Sequence, residues 1–185
     1  MTAAAKNDPK SDTKYDPKSD TKYDLKADVN RRAAALFAAI DDYDEAAFLA
    51  AIDALAAELP EDDADALFHR GSARDSWGHS DLAVPLYRKA LELGGLTGEN
   101  RRRAVIQMCS SLRNIGEVEL ALETLWAERE LGEDHLSDAL DCTIALCLAT
   151  TGHDREGLSL VLVALAKHLP RYNRSMANYG RALVE

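Results

Sequence analysis

Trp77-Gly78-His79-Ser80-Asp81-Leu82-Ala83 has two counterparts further along the chain, Ile115-Gly116-Glu117-Val118-Glu119-Leu120-Ala121 and Thr151-Gly152-His153-Asp154-Arg155-Glu156-Gly157. In each, a glycine ends one apolar-periodic segment and a small residue follows five positions later, inside the next. Glycine stops a helix because it enters the left-handed backbone region without steric cost. Leu82 to Leu91, after the first turn, carries its apolar residues at helical spacing. The pattern is helix, glycine stop, helix. Gly78, Gly116 and Gly152 are separated by 38 and 36 residues, and Asp42 lies 36 before Gly78, in the same turn of a divergent first unit. A fixed period with two helices per unit indicates a helical solenoid.

Working outward, the spacing predicts helices over 31–40, 45–59, 61–77, 81–93, 99–115, 118–131, 134–151, 154–168 and 172–183. Pro60 and Pro170 stop the second and eighth of these. Strand signals are poor, since few stretches alternate with period two. Residues 1–28 form a separate segment. Asp8-Pro9-Lys10-Ser11-Asp12-Thr13-Lys14-Tyr15 recurs unchanged as residues 16–23, and a decaying copy begins at Asp24. Lysines and aspartates balance there and almost nothing apolar is available to bury, so disorder is expected. A short linear motif centred on Tyr15 and Tyr23 is the functional alternative.

The formal net charge of −10 disfavours nucleic acid and anionic membrane surfaces as partners, since both need a basic face. The longest strongly apolar stretch, near Leu158 to Leu165, is too short to span a bilayer, and no secretory signal follows Met1. Cys109, Cys142 and Cys147 are odd in number and sit within helical patterns, which suits reduced thiols in a cytoplasmic protein.

These residues resemble tetratricopeptide repeats. In the second unit Gly71 takes the small site of the first helix, Gly78 the turn and Ala83 the small site of the second helix, with Tyr87 and Ala90 beyond. The third keeps Gly116, Ala121 and Leu125, with Cys109 and Glu128 replacing small residues; the fourth keeps Ala145, Gly152, Gly157 and Ala164. Tyr179-Gly180 resembles the start of a fifth unit, truncated to a capping helix. The resemblance covers residues 29–185, with units near 29–60, 64–97, 102–133 and 138–170 and a cap at 172–183. It implies an all-α, right-handed superhelical solenoid and a non-catalytic scaffold that binds protein or peptide.

In such an array the first helix of each unit lines the concave face. The register then offers Arg32 and Leu36, Phe68, Ser72 and Asp75, Arg103, Ile106, Ser110 and Arg113, and Cys142 and Leu146 as candidate peptide contacts. One mode of the family clamps a terminal carboxylate with Lys and Asn. Arg32, Phe68, Ile106 and Cys142 stand where its lysine would be, and Leu36, Ser72, Ser110 and Leu146 where its asparagine would be, so the clamp is not evident.

Charge is uneven along the array. Residues 31–66 are net −8, 67–103 net +3, 104–152 net −7 and 153–185 net +2. Arg101-Arg102-Arg103 opens a helix, against the dipole. Contact with acidic residues of a neighbouring unit is the structural explanation; an anchor for an acidic peptide, through Arg103 and Arg113, is the functional one. The acidic runs 41–45 and 61–65 read as helix caps, lacking the loop of a calcium hand. His79 and His153 follow equivalent glycines and should face water. Trp77 and Trp126 read as core, and so do Cys142 and Cys147, five apart. No His pair has zinc-helix spacing, Gly94-Gly95-Leu96-Thr97-Gly98 follows a helix and not a strand, and Ser110-Ser111 has no paired base. No metal, cofactor or catalytic constellation is therefore expected. Self-association into a homodimer is the second reading of function, and a small-ligand receptor or enzyme is the remote third.

Overall fold

The structure, a computed structural model, describes residues 24–185. The expected disorder of the octapeptide segment falls outside them up to Tyr23. Among the described residues there are helices and turns and no strand. The helices are α1 (Leu25–Ala38), α2 (Glu45–Ala56), α3 (Ala64–Ser76), α4 (Ser80–Leu93), α5 (Asn100–Asn114), α6 (Val118–Arg129), α7 (Ser137–Thr150), α8 (Asp154–Ala166) and α9 (Asn173–Arg181), with a 3-10 turn at Ile40–Asp42. Each packs on the next, and α1, α3, α5 and α7 also pack on one another in succession, which is the layout of a helical repeat solenoid.

Local sequence explains most ends. Asp24, Asp44 and Asp63 cap α1, α2 and α3, their carboxylates accepting from the N–H groups of Ala27, Ala47 and Asp65 with Ala66. The acidic runs therefore do act as caps at Asp44 and Asp63. Gly78, Gly116 and Gly152 have φ of 84°, 90° and 82°, the left-handed stop that their spacing predicts. The first helix departs from expectation. It begins at Leu25, inside the decaying octapeptide copy, and not at Arg31. Leu25 and Ala27 stand where the intact copies have proline and serine, and Val29 and Ala33 give the segment an apolar face that is fully buried.

The hairpins close through small residues. Ala83 is fully buried. A Cβ on Gly71 would stand 3.1 Å from the Tyr87 ring, and one on Gly157 2.9 Å from the Ala145 carbonyl oxygen. The main core runs from Phe68 through Tyr87, Leu112 and Leu125 to Ile144 and Cys147; a smaller one joins Phe48, Ile52 and Ala73. Trp77 packs on Phe48, with ring centroids 6.4 Å apart. Trp126 is 37 % exposed beneath Arg129 and is not core.

Gly157→Ala gains about 1 kcal/mol in helix propensity, yet the Ala145 backbone cannot withdraw as a side chain would. We expect a net lowering of the melting temperature by several degrees, at about 1–3 kcal/mol of overpacking. Ala83→Trp should lower it further, whereas Lys89→Ala, on the exposed side of α4, should leave it unchanged. Equal melting points in thermal denaturation would contradict these crossings.

Candidate functional site

Successive units are tied by polar contacts at nearly one repeat spacing. Ser72 donates to Gln107 Oε1 at 3.1 Å and Ser111 donates to Asp75 at 2.6 Å. Asn100 donates to Asp65 at 2.9 Å, and Asn114 to Ser80 at 3.2 Å. The Tyr87 hydroxyl reaches Ser72 and Gln107 at 3.4 Å each. Burial raises the Asp75 carboxyl above its usual range, against the hydrogen bond from Ser111. α3 is thus covered by α5 along its inner side.

At the opposite flank α1 reaches over the start of α3. His69 is buried and its Nε2 lies 2.6 Å from Asn30 Oδ1. Because that oxygen can only accept, Nε2 carries the proton and Nδ1, buried without a partner, is the bare nitrogen. Asn30 donates in turn to Thr97 Oγ1 at 2.8 Å, and the Thr97 hydroxyl donates to Asp65 at 2.9 Å. Lys26 Nζ sits 3.2 Å from the fully buried Asp65 and 3.1 Å from Asp63. Burial works to raise Asp65, but the donors Asn100, Thr97 and Lys26 outweigh it and hold the carboxyl below its ordinary range. Burial also pushes His69 down to about 4.

These contacts sort the candidate residues. Phe68 and Ser72 are buried, at 1 % and 2 % exposure, so neither is open to a ligand. Asp75 is engaged by Ser111. Arg32 lies on the outer side of the first hairpin, paired with Glu58 at 2.7 Å, away from α5. Arg103, Ile106, Ser110 and Arg113 on α5 and Cys142 and Leu146 on α7 are not fully buried. All are half-buried except Leu146, which is 52 % exposed. Gln107, Asn30 and Asn100 carry the inner geometry and were not singled out by periodicity. For Gln107 and Asn100 the signal was a polar residue 35 positions from another polar residue, whereas Asn30 lies 39 from His69.

The arginine triplet divides. Arg101 donates twice to Glu128, at 2.6 and 2.7 Å, and Arg102 donates to the Gly132 carbonyl and pairs with Asp134 at 3.3 Å. Glu128 belongs to the same hairpin, not to a neighbouring unit, because α6 folds back alongside the start of α5. Arg103 turns inward. Its guanidinium covers Phe68 at 5.2 Å from the ring centroid and lies 3.7 Å from Glu99. It also borders a polar recess of about 420 Å³ with Lys26, Asn30, Thr97 and Asn100. Arg113 donates to Asn114 Oδ1 and has a buried Nε without a partner. It forms no ion pair among the described residues, and its charge acts on the Cys147 thiol.

Three exposed or half-exposed histidines are paired with carboxylates. His79 meets Glu45 at 2.5 Å, His135 meets Glu99 at 2.7 Å and His168 meets Asp138 at 2.9 Å. The three cysteines are free, and burial pushes Cys109 up to about 12. Cys142 is only half-buried. Among the described residues no group of His, Cys, Asp and Glu is arranged to hold a metal ion, and no helix is long and apolar enough to cross a membrane.

Comparison with known proteins adds one match. The family described as tetratrico peptide repeat matches residues 64–183, from the first residue of α3 to just past the end of α9. No curated protein and no solved structure matches the chain.

His69 makes stability depend on pH. Above about 6.5 neither folded nor unfolded histidine holds the extra proton. Between about 6.5 and 4 the unfolded chain takes one that the fold refuses, so stability falls by about 2–3 kcal/mol by pH 4.5. His69→Gln keeps a donor for Asn30 and should show a smaller loss between pH 7 and 4.5 by urea denaturation. An identical loss in both chains would refute the neutral buried histidine.

Proposed function

The chain belongs to the tetratricopeptide repeat family, whose repeats generally mediate protein–protein interaction, and from that premise we propose that it is a non-catalytic scaffold for an acidic peptide. The binding surface on this reading is the inner face of α5 and α7. Arg113 carries the proposal: it is a half-buried cation with an unpartnered Nε and no ion-pair carboxylate within 4.0 Å among the described residues. A buried or half-buried guanidinium is costly without an anion, and a ligand carboxylate would supply two parallel hydrogen bonds. Arg103 adds a second inward cation, while Ile106, Ser110 and Leu146 provide apolar and polar contact. Arg101 and Arg102 take no part, being held by Glu128, Gly132 and Asp134. The free cysteines support a cytoplasmic setting.

A displayed-peptide library selected on the full chain tests this. Enriched sequences should place a carboxylate near an aliphatic residue, and Arg113→Ala should weaken them about 10- to 100-fold. Arg101→Ala should change affinity little. Enrichment of neutral peptides, or unchanged affinity of Arg113→Ala, would remove the acidic anchor.

Self-association is favoured by a different observation. Leu120 and Leu131, 41 % and 67 % exposed, line an outer groove of about 530 Å³ between α6 and the α4–α5 ends. Light scattering at two concentrations should report a rising mass on this reading. A concentration-independent monomer excludes it.

A further inference from the structure

Helix α8 keeps one apolar side that its counterpart α4 covers. Register places Val84 and Leu158 at the same site, each one residue past the small residue of its crossing, Ala83 or Gly157. Val84 is 6 % exposed and lines a recess with Ile115, just past the end of α5, whereas Leu158 is 50 % exposed. Leu91 and Leu165 form a second such pair. Leu91 is half-buried and shares a groove with Leu120 of α6, whereas Leu165 is exposed. The difference follows from the neighbours. α9 is 9 residues long against 15 for α5, and no described helix follows it to act as α6 does. Leu158 and Leu165 are seven residues apart, so they look out from one side of α8, about 10 Å from each other.

Charge at this end has one sign. Residues 157–184 contain Lys167, Arg171, Arg174 and Arg181 and no carboxylate, in a chain of net charge −10. Lys167 is held by Asp138 and Arg181 by Asn178. Arg171 and Arg174 are exposed and have no hydrogen bond or ion pair among the described residues. The opposite end is the reverse. Asp41 and Asp42, before α2, and Glu61 and Asp62, after it, are exposed, and their carboxylates have no partner among the described residues. Between these two acidic turns α1 and α2 leave an open groove of about 430 Å³, lined by Leu36, Tyr43, Leu55 and alanines. Arg32 and Glu58 at its rim are closed on each other at 2.7 Å, which leaves the free charge of that end to the four acids.

One chain thus carries an apolar face with free cations at one end of the array and an apolar groove with free anions at the other. Two α8–α9 ends brought together would set arginine against arginine, and two first hairpins would set acid against acid. Only unlike ends attract. Exposed ion pairs contribute little each, so the leucines and the groove supply contact area while the charges select orientation. We infer that the first hairpin of a second copy docks on the α8–α9 face, with Leu158 and Leu165 against its α1–α2 groove and Arg171 and Arg174 towards its free carboxylates. The contact is heterologous, so each pair keeps one free end of each kind and the array extends from chain to chain. This surface is separate from the proposed peptide face on α5 and α7 and from the outer groove at Leu120.

Light scattering of the full chain over a concentration series should show a mass that rises past that of a dimer and falls back as salt is added. Reversing one end (Arg171→Glu with Arg174→Glu) or the other (Asp41→Lys, Asp42→Lys, Glu61→Lys and Asp62→Lys) should weaken association at least about 10-fold in either chain alone. An equimolar mixture of the two reversed chains should associate again, which also shows that both are folded. Leu120→Glu should leave the mass unchanged. A photoreactive benzophenone side chain in place of Leu165, in a mixture of heavy- and light-isotope chains, should join residues 35–62 of another copy. The inference is overturned by a monomer at every concentration, by reversed chains that associate as the parent does, or by no recovery on mixing. A probe product on α8 or α9 of another copy, or within its own chain, also overturns it, and loss of association in Leu120→Glu assigns the contact to the outer groove instead.

Discussion

The close approach of two helices within each hairpin sets the rest of this structure. Gly71 and Gly157 leave no room for a methyl group against Tyr87 and the Ala145 backbone. With such contacts the second helix of a unit sits tight against the first, and the next unit is brought in at a fixed angle. A larger residue at either glycine would open the crossing and shift every helix that stacks beyond it. Glycine within a helix lowers its intrinsic stability by roughly 1 kcal/mol, so these positions are tolerated for packing and not for propensity.

That approach has a second consequence, a buried polar seam. With α1 and α5 both drawn over α3, side chains that a looser array would leave in water become enclosed. Asp65 is the extreme case, fully buried and held by Asn100, Thr97 and Lys26. Each such bond contributes only about 1 kcal/mol net, but leaving one partner unsatisfied costs about 1–3 kcal/mol. The apolar faces are rich in alanine, and alanine surfaces are smooth enough to slide past one another. The pairs Ser72–Gln107 and Asp75–Ser111 exist at only one alignment of α3 with α5. We read them as what fixes the register that packing leaves loose.

How much of this was legible follows from what a repeat encodes. Period and glycine position specify where helices stop and which residues cross, so the turns at Gly78, Gly116 and Gly152 and the burial of Ala83 were open to reading. Curvature is not in the period. Phe68 and Ser72 occupy inner-face positions by register, yet they are buried because α5 closes over them. The partners of Arg101 and Arg102 were missed for a related reason: charge counting along the chain does not say that α6 returns beside α5. The start of α1 at Leu25 was hidden by its likeness to the octapeptide, although the loss of proline and the gain of alanine there were visible signals. The polar pairs near 35-residue spacing were also visible, and they carry the information about the inner face that apolar periodicity lacks.

The closing of α3 also limits what the proposed scaffold can hold. Its inner face is not a channel of uniform width along four units. On the α1–α3 side the space is filled by Asn30, His69 and Asn100, which leaves the faces of α5 and α7 as the proposed surface. Two adjacent helices at the usual 8–10 Å separation, with their inward side chains, span about 20 Å. An extended peptide rises about 3.3 Å per residue, so about six residues cross that width. A footprint of this size lies at the small end of specific interfaces. Area alone cannot then supply tight binding, and most of the affinity has to come from one or two well-placed contacts. A half-buried arginine whose Nε lacks a partner is such a contact, which is why the proposed reading places Arg113, more than the breadth of the groove, at its centre.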